Sequence, residues 1–279
     1  IRTAGESMGL KEIKRDYKVS IRKFGYFNWV GFLTLYQKEC YRFLIVAIQT
    51  IISPIVTSLL FLMVLSLAIS NDRGEVLGVS FLSFLAPGLI AMQIIQQAFA
   101  HSSSSIMIGK IQGNLVEILY APLSAGEITL ALILASCTRA FVICTTSILV
   151  FSFFVELNFY SFFHIIIYAF FSSFILGSIG IIVGLASTKF DHMASYTNFL
   201  IVPLSFLSGT FYTIERLPDF LKQVSELNPF FYMIDGFRYG FLGVSDGSLV
   251  FGYIFLVLLS FLSWFSAYIL FKRGYKIKS

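Results

Sequence analysis

Charge is scarce in this chain. Asp, Glu, Lys and Arg make up 13% of its 279 residues, and mean hydropathy is +0.83. A soluble domain carries about 25% charged residues, so that class is excluded. Cysteine is rare as well. Cys137 and Cys144 lie seven apart within one apolar run and cannot pair there, and with Cys40 they form neither a disulfide framework nor a metal spacing. No internal repeat is evident, which argues against the repeated halves of many secondary transporters. The chain lacks a GxxxxGK[ST] phosphate loop, so it does not bind ATP by that device. HExxH, GxSxG and paired acids in a plausible site are missing too. The solid apolar blocks differ from the alternating segments of about ten residues that mark a β-barrel.

What is present is apolar length. Several runs exceed the roughly 18 residues of a membrane helix. The sequence predicts an all-α membrane protein with six spans at about 44–69, 79–100, 128–155, 162–186, 194–211 and 249–271. Residues 1–26 are basic, have no apolar core ahead of a small-residue cleavage site, and read as a cytoplasmic lead-in rather than a signal peptide. Residues 27–279 then form one transmembrane domain. It begins with an amphipathic helix over 27–43, whose stripe of Trp29, Phe32, Leu33, Tyr36, Cys40 and Phe43 suits the interface plane.

Polar residues inside the spans are few and therefore informative. Gln93, Gln96 and Gln97 share a face of the second span, either as interhelical hydrogen-bond formers or as a pathway lining. Arg139 sits near the middle of the third span, where an insertion cost of about 2.5–3.5 kcal/mol calls for a partner or water; the span-two glutamines are candidates. The fourth span carries Gly177, Gly180 and Gly184, which permit close helix approach. Asn198, Ser205 and Ser208 make the fifth span more polar than the rest. After it come a short amphipathic helix over 218–227, a break at Asn228–Pro229, and an apolar segment over 230–242 interrupted by Asp235 and Arg238. Both pieces are too short and too charged to span, and read as re-entrant or interfacial helices.

One polar stretch, Gly109 to Thr129, lies between two apolar blocks. Asn114 precedes Glu117 by three residues and Ser124 precedes Glu127 by three, so each pair has the form of a capping box. The first box would start a short helix, Leu115 to Ala121, stopped by Pro122. The second would start the next span. With six spans and both termini inside, fifteen of the twenty Lys and Arg fall on the cytoplasmic side together with this stretch. The helical pair at 218–242 falls on the outer face.

Five runs, in this order and placement, carry a family resemblance: Leu35-Tyr36-Gln37-Lys38-Glu39; Ala86-Pro87-Gly88-Leu89; Gly113 to Leu119 with Ala121-Pro122-Leu123-Ser124; Leu207 to Tyr212; and Leu227 to Tyr232 continuing through Asp235 to Gly240. The chain resembles, over roughly 30–275, the permease subunits of ABC-2 type exporters, in the bacterial branch that exports drugs, lipo-oligosaccharides or polysaccharides. The resemblance implies a multi-pass inner-membrane subunit that pairs with a second copy or close paralogue and docks two copies of a cytoplasmic ATPase. It implies no cofactor in this chain, Mg-ATP being held by the partner, and no enzymatic activity of its own. Asn114, Leu115, Glu117, Ile118, Leu119, Pro122, Leu123 and Ser124 match the family's coupling helix. Gln93, Gln97, Asn198 and Ser205 become pathway candidates, and Asn228, Pro229, Asp235 and Arg238 outer-gate candidates. Substrate class varies too widely to carry over; an amphipathic lipid, a glycolipid or a drug would each fit. Two other readings are distinguishable. A secondary transporter would need mid-membrane acids, which the spans lack. An intramembrane enzyme would need Ser208 and His101 to meet, though they belong near opposite membrane faces.

Overall fold

A computed structural model of the protein describes residues 25–69, 75–76, 78–214 and 218–276. Nearly all of the basic segment expected over 1–26 lies outside the described residues. Helices dominate. They are α1 (Trp29–Ile45), α2 (Ser53–Ile69), α3 (Phe81–Ile111), α4 (Leu115–Tyr120), α5 (Ala125–Phe151), α6 (Phe162–Ala186), α7 (Phe190–Tyr196), α8 (Val202–Phe206), α9 (Asp219–Leu227), α10 (Pro229–Leu242) and α11 (Leu249–Lys272). One two-stranded antiparallel hairpin, β1 (Glu75–Val76) with β2 (Val79–Ser80), joins α2 to α3, an element the sequence reading did not contain.

Five helical stretches among the described residues are long and apolar enough to cross a membrane: Ile48–Leu67, Phe81–Ile111, Ala125–Phe151, Phe162–Ala186 and Leu249–Lys272. The stretch expected to span over 194–211 takes a different form. It runs as α7, a π turn over Thr197–Ile201 and α8, unbroken from 190 to 206. Pro203 explains the π turn. A proline has no N–H and its ring crowds the carbonyl four residues back, so the helix widens just before it. Here the N–H of Val202 reaches the oxygen of Thr197, five residues back. Pro54 does the same at the start of α2, where the N–H of Ser53 bonds to Ile48 O after a π turn over Ile48–Ile52.

α3 is the axis of the bundle, packing on α5, α6, α10, α2 and α8. At 31 residues it measures about 46 Å, well beyond a hydrocarbon core of about 30 Å. Its last turns therefore lie outside that core, and α4 hangs from them. The second span is expected to end near 100, yet the helix continues through the serines at 102–105. Ser103 Oγ donates to Phe99 O and Ser104 Oγ to His101 O, satisfying the hydroxyls within the helix itself. α6 lies close against α3, as its glycines allow. A Cβ on Gly180 would stand 2.7 Å from Phe99 O, and one on Gly184 would stand 2.8 Å from Ile106 Cβ. By contrast α2, α11 and the α7–α8 stretch present mostly exposed apolar surface, including Val64, Leu67, Phe199, Leu258 and Phe261.

Candidate functional site

The segment over 109–129, the candidate for coupling, is built from its cap outward. Ser124 forms the second capping box as expected: its Oγ accepts from the N–H of Glu127 at 3.2 Å, and Glu127 Oε2 accepts from the N–H of Ser124 at 2.6 Å. The other oxygen of Glu127 has a longer reach. Oε1 accepts from the backbone N–H of Asn28 at 2.5 Å, at the start of α1. Asn28 answers in kind, its side-chain amide donating to Pro122 O at 2.9 Å while its oxygen caps α1 through the N–H of Gly31. One buried carboxylate thus fastens the coupling segment, α5 and α1 together. The sequence placed Glu127 in a local box only; its distant partner lies 99 residues away.

The first expected capping box does not form. Asn114 is already helical, at φ −73° and ψ −13°, and donates no cap; its side chain bonds to Gln112 Oε1 instead. Gly113, at φ +74°, makes the turn ahead of it, a conformation that costs glycine little. With the chain reversed by that glycine, α4 needs no side-chain cap to begin.

α4 has two faces. Leu115 is 2% exposed and packs with Phe32, Leu35, Ile106 and Ile128, while Ile118 and Leu123 lean on the same cluster. Glu117, Leu119 and Pro122 point away from the bundle, as does Tyr120 at 85% exposure. Sequence reasoning left Tyr120 out. The helical spacing of the buried Leu115 against it was the signal that would have found it. A groove of about 290 Å³ runs beside this face between α1 and α4, walled by Thr34, Lys38, Glu117, Ile118 and Leu123 among others.

Inside the bundle, Arg139 of α5 finds its partner on α3, donating through Nη2 to Gln97 Oε1. A second polar group lies toward α1. Glu39 is buried and takes Arg42 Nε at 2.8 Å; the Arg42 guanidinium continues to His101 O at 2.9 Å and Ser104 Oγ at 3.3 Å. α1 is therefore not simply an interfacial helix with one apolar stripe, since its buried face includes an ion pair. The four pathway candidates do not form one lining within this chain. Gln97 is committed to Arg139, Gln93 is buried, Ser205 Oγ donates to Ile201 O at 2.7 Å, and Asn198 is exposed. No hydrogen bond joins His101 to Ser208, whose hydroxyl donates to Ser205 O.

The outer-gate candidates gather at the other end of α3. α10 is not a surface helix. Ten of its fourteen residues are buried, against α3, α6 and α11. Asn228 caps it, accepting from the N–H of Phe230 at 3.0 Å and donating to Leu204 O at 2.9 Å, and Pro229 fills the first helical position, where no N–H is needed. Asp235 and Arg238 are one turn apart, and each holds a separate loop. Asp235 accepts from the N–H groups of Asp246 at 2.9 Å and Gly247 at 3.0 Å. Burial pushes its carboxyl above the ordinary value, while those donors and the nearby Arg238 hold it down. Arg238, 1% exposed, donates through Nη2 to Gly209 O at 2.7 Å and lies 3.8 Å over the ring of Phe84. Their charge reads in the sequence as a sign that the segment does not span, leaving a re-entrant or an interfacial helix, and the burial of α10 sets the interfacial alternative aside. Backbone groups and one aromatic face satisfy them inside the bundle instead.

Comparison with known proteins agrees with this architecture. The family model described as ABC-2 type transporter matches residues 30–242. The chain is 31% identical over 253 residues to the inner membrane transport permease YadH of Escherichia coli K12, covering 90% of this chain and 98% of that one. It is 24% identical over 221 residues to nodulation protein J of Rhizobium leguminosarum bv. viciae, covering 78% and 84%, and 22% identical over 217 residues to that of Rhizobium meliloti, covering 77% and 82%. The matched region takes in α1, α4 and the buried α10 alike, and the chain belongs to the ABC-2 type transporter family.

Proposed function

We propose that this chain is the membrane-spanning permease subunit of an ATP-driven exporter. The carrying observation is the two-faced α4: Leu115 anchors it to the bundle, Glu127 and Asn28 brace it, and Glu117, Leu119 and Tyr120 are left facing outward. A short braced helix beyond the hydrocarbon is a device for receiving force from a soluble subunit. The chain has no phosphate loop of its own, and the partner is accordingly a cytoplasmic ABC ATPase, two copies serving two permeases, with Mg-ATP bound there. The 31% identity to a protein named as an inner membrane transport permease supports both transport and an inner-membrane location.

In this reading the α7–α8 stretch completes a six-helix set, and the bias of Lys and Arg puts α4 and both termini in the cytoplasm. The exposed apolar faces of α2, α11 and α7–α8 meet lipid and a second copy of the chain. The exposed polar Asn198 contributes to a pathway between two copies rather than within one. The cargo is amphipathic or hydrophobic, and the α9–α10 pair closes the outer side.

The test is translocation of a fluorescent amphiphile, such as an NBD-labelled phospholipid, in vesicles holding the permease and its ATPase subunit. Translocation should require hydrolysable ATP and survive an uncoupler. Transport that persists without the ATPase and stops with the uncoupler would assign the chain to ion-coupled secondary transport instead.

A further inference from the structure

The bundle end that carries α4 also holds a polar pocket of about 350 Å³, set between the end of α6, α7 and the turn after α11. Ala186, Ser187, His192, Ser195, Tyr196 and Lys276 line it, and no acidic side chain does. Ser187 is 1% exposed, and its Oγ has no hydrogen-bond partner among the described residues. Lys276 Nζ reaches Ala186 O at 3.3 Å, which engages one of its three donors. His192 meets Thr188 Oγ1 through Nδ1 at 3.2 Å, leaving Nε2 toward solvent. Behind the wall a second ammonium, Lys110 Nζ, bonds to Leu185 O at 2.8 Å and Ser187 O at 2.7 Å. Asp191 is exposed on the first turn of α7 and is not among the lining residues.

The pocket does not end at its polar part. From Ser195 and Tyr196 an apolar groove of about 340 Å³ continues along the helix past Phe199 and Leu200, through the π turn. Phe199 is 83% exposed. A donor-rich, positively charged pocket that opens into an apolar strip along a membrane helix has the shape of one kind of ligand: a phosphate joined to a hydrocarbon chain. A choline or ethanolamine cation would meet no carboxylate in this lining, whereas an anionic headgroup meets Lys276 directly and Lys110 close behind.

We propose that this cleft binds an anionic phospholipid, with the headgroup phosphate against Ser187, His192 and Lys276 and one acyl chain along Tyr196, Phe199 and Leu200. Under the orientation proposed above, the lipid belongs to the cytoplasmic leaflet. The site bridges α6, α7 and the end of α11, so an occupied cleft ties the exposed α7–α8 stretch to the bundle. The proposal goes beyond the permease assignment and needs neither ATPase nor cargo.

Phe199→Trp provides the probe. In nanodiscs of phosphatidylcholine, carrying lipid on both faces, brominated phosphatidylglycerol should quench the added fluorescence at a low mole fraction. Lys276→Gln should raise the half-saturating fraction about fivefold, the effect of one basic residue at a membrane surface. Lys272→Gln, in the last turn of α11 but outside the pocket, should leave it unchanged. Should Phe199→Trp fail to fold, native mass spectrometry of the unaltered chain and Lys276→Gln with the same two lipids reads the same outcome. Equal quenching by brominated phosphatidylcholine, or no change in Lys276→Gln, would overturn the site. Full competition by inorganic phosphate would assign it to a free anion. A Phe199→Cys disulfide between two copies, formed with the quenching absent, would show the groove covered by protein instead.

Discussion

Glu127 Oε1 accepts the backbone N–H of Asn28 at 2.5 Å, so the first turn of the helix that follows the coupling segment holds the start of α1. The same carboxylate accepts the N–H of Ser124 at 2.6 Å. Glu127→Ala leaves two backbone donors short of a partner, at a cost of about 1–3 kcal/mol for each that stays buried. Its unfolding midpoint in detergent should fall well below that of the unaltered chain. Glu127→Gln keeps an acceptor oxygen for one donor and should fall by less. Proteolysis between α4 and α5 should speed up in the same order.

Gln97 and Arg139 form an unequal pair. Gln97→Leu strands a buried guanidinium, whereas Arg139→Met removes the charge and leaves only a half-buried amide. Leaving a buried group without its hydrogen-bond partner costs about 1–3 kcal/mol, more when it is charged, whereas replacing it by an apolar group of the same shape costs much less. Thermal stability should therefore rank Arg139→Met above Gln97→Leu. The double variant should recover most of what Gln97→Leu alone loses, a coupling that a double-mutant cycle reads directly.

Much of this fold was legible because membrane helices announce themselves by length. α6 and α11 fall almost where the apolar runs place them, and Ser124 and Glu127 form the expected box because their spacing matches one helical turn. The sequence reading was less successful where a local pattern had two solutions. Asn114 and Glu117 have the spacing of a box, yet Gly113 turns the chain first and the cap is not needed. The second span ends near 100 by hydropathy, but the serine hydroxyls after His101 bond within the helix and α3 runs on. Asp235 and Arg238 left a re-entrant and an interfacial position equally open, because the backbone groups that satisfy them come from 209–210 and 246–247, segments no periodicity connects to α10.

Arg238 and Asp235 give separable outcomes because they hold separate loops. Arg238→Lys should destabilise the chain despite keeping its charge, since an ammonium lacks the planar face that lies over Phe84 while Nη2 reaches Gly209 O and Thr210 O. Asp235→Asn turns a donor toward one of two N–H groups and should loosen residues 243–248. Hydrogen exchange resolves the two: Arg238→Lys should raise exchange around 207–212, and Asp235→Asn around 244–248.

The central claim is that the outward face of α4 receives an ATPase subunit. The most direct measurement is copurification of the co-expressed ABC ATPase subunit with the tagged chain, together with the ATPase rate of the reconstituted complex. Tyr120→Asp and Glu117→Lys alter exposed side chains only, so the variants should fold with an unchanged unfolding midpoint. They should lose most of the bound subunit and the ATPase activity that depends on it, while the exposed control Lys272→Gln at the end of α11 retains both. Full association and full activity in the Tyr120→Asp, Glu117→Lys double variant would contradict the account.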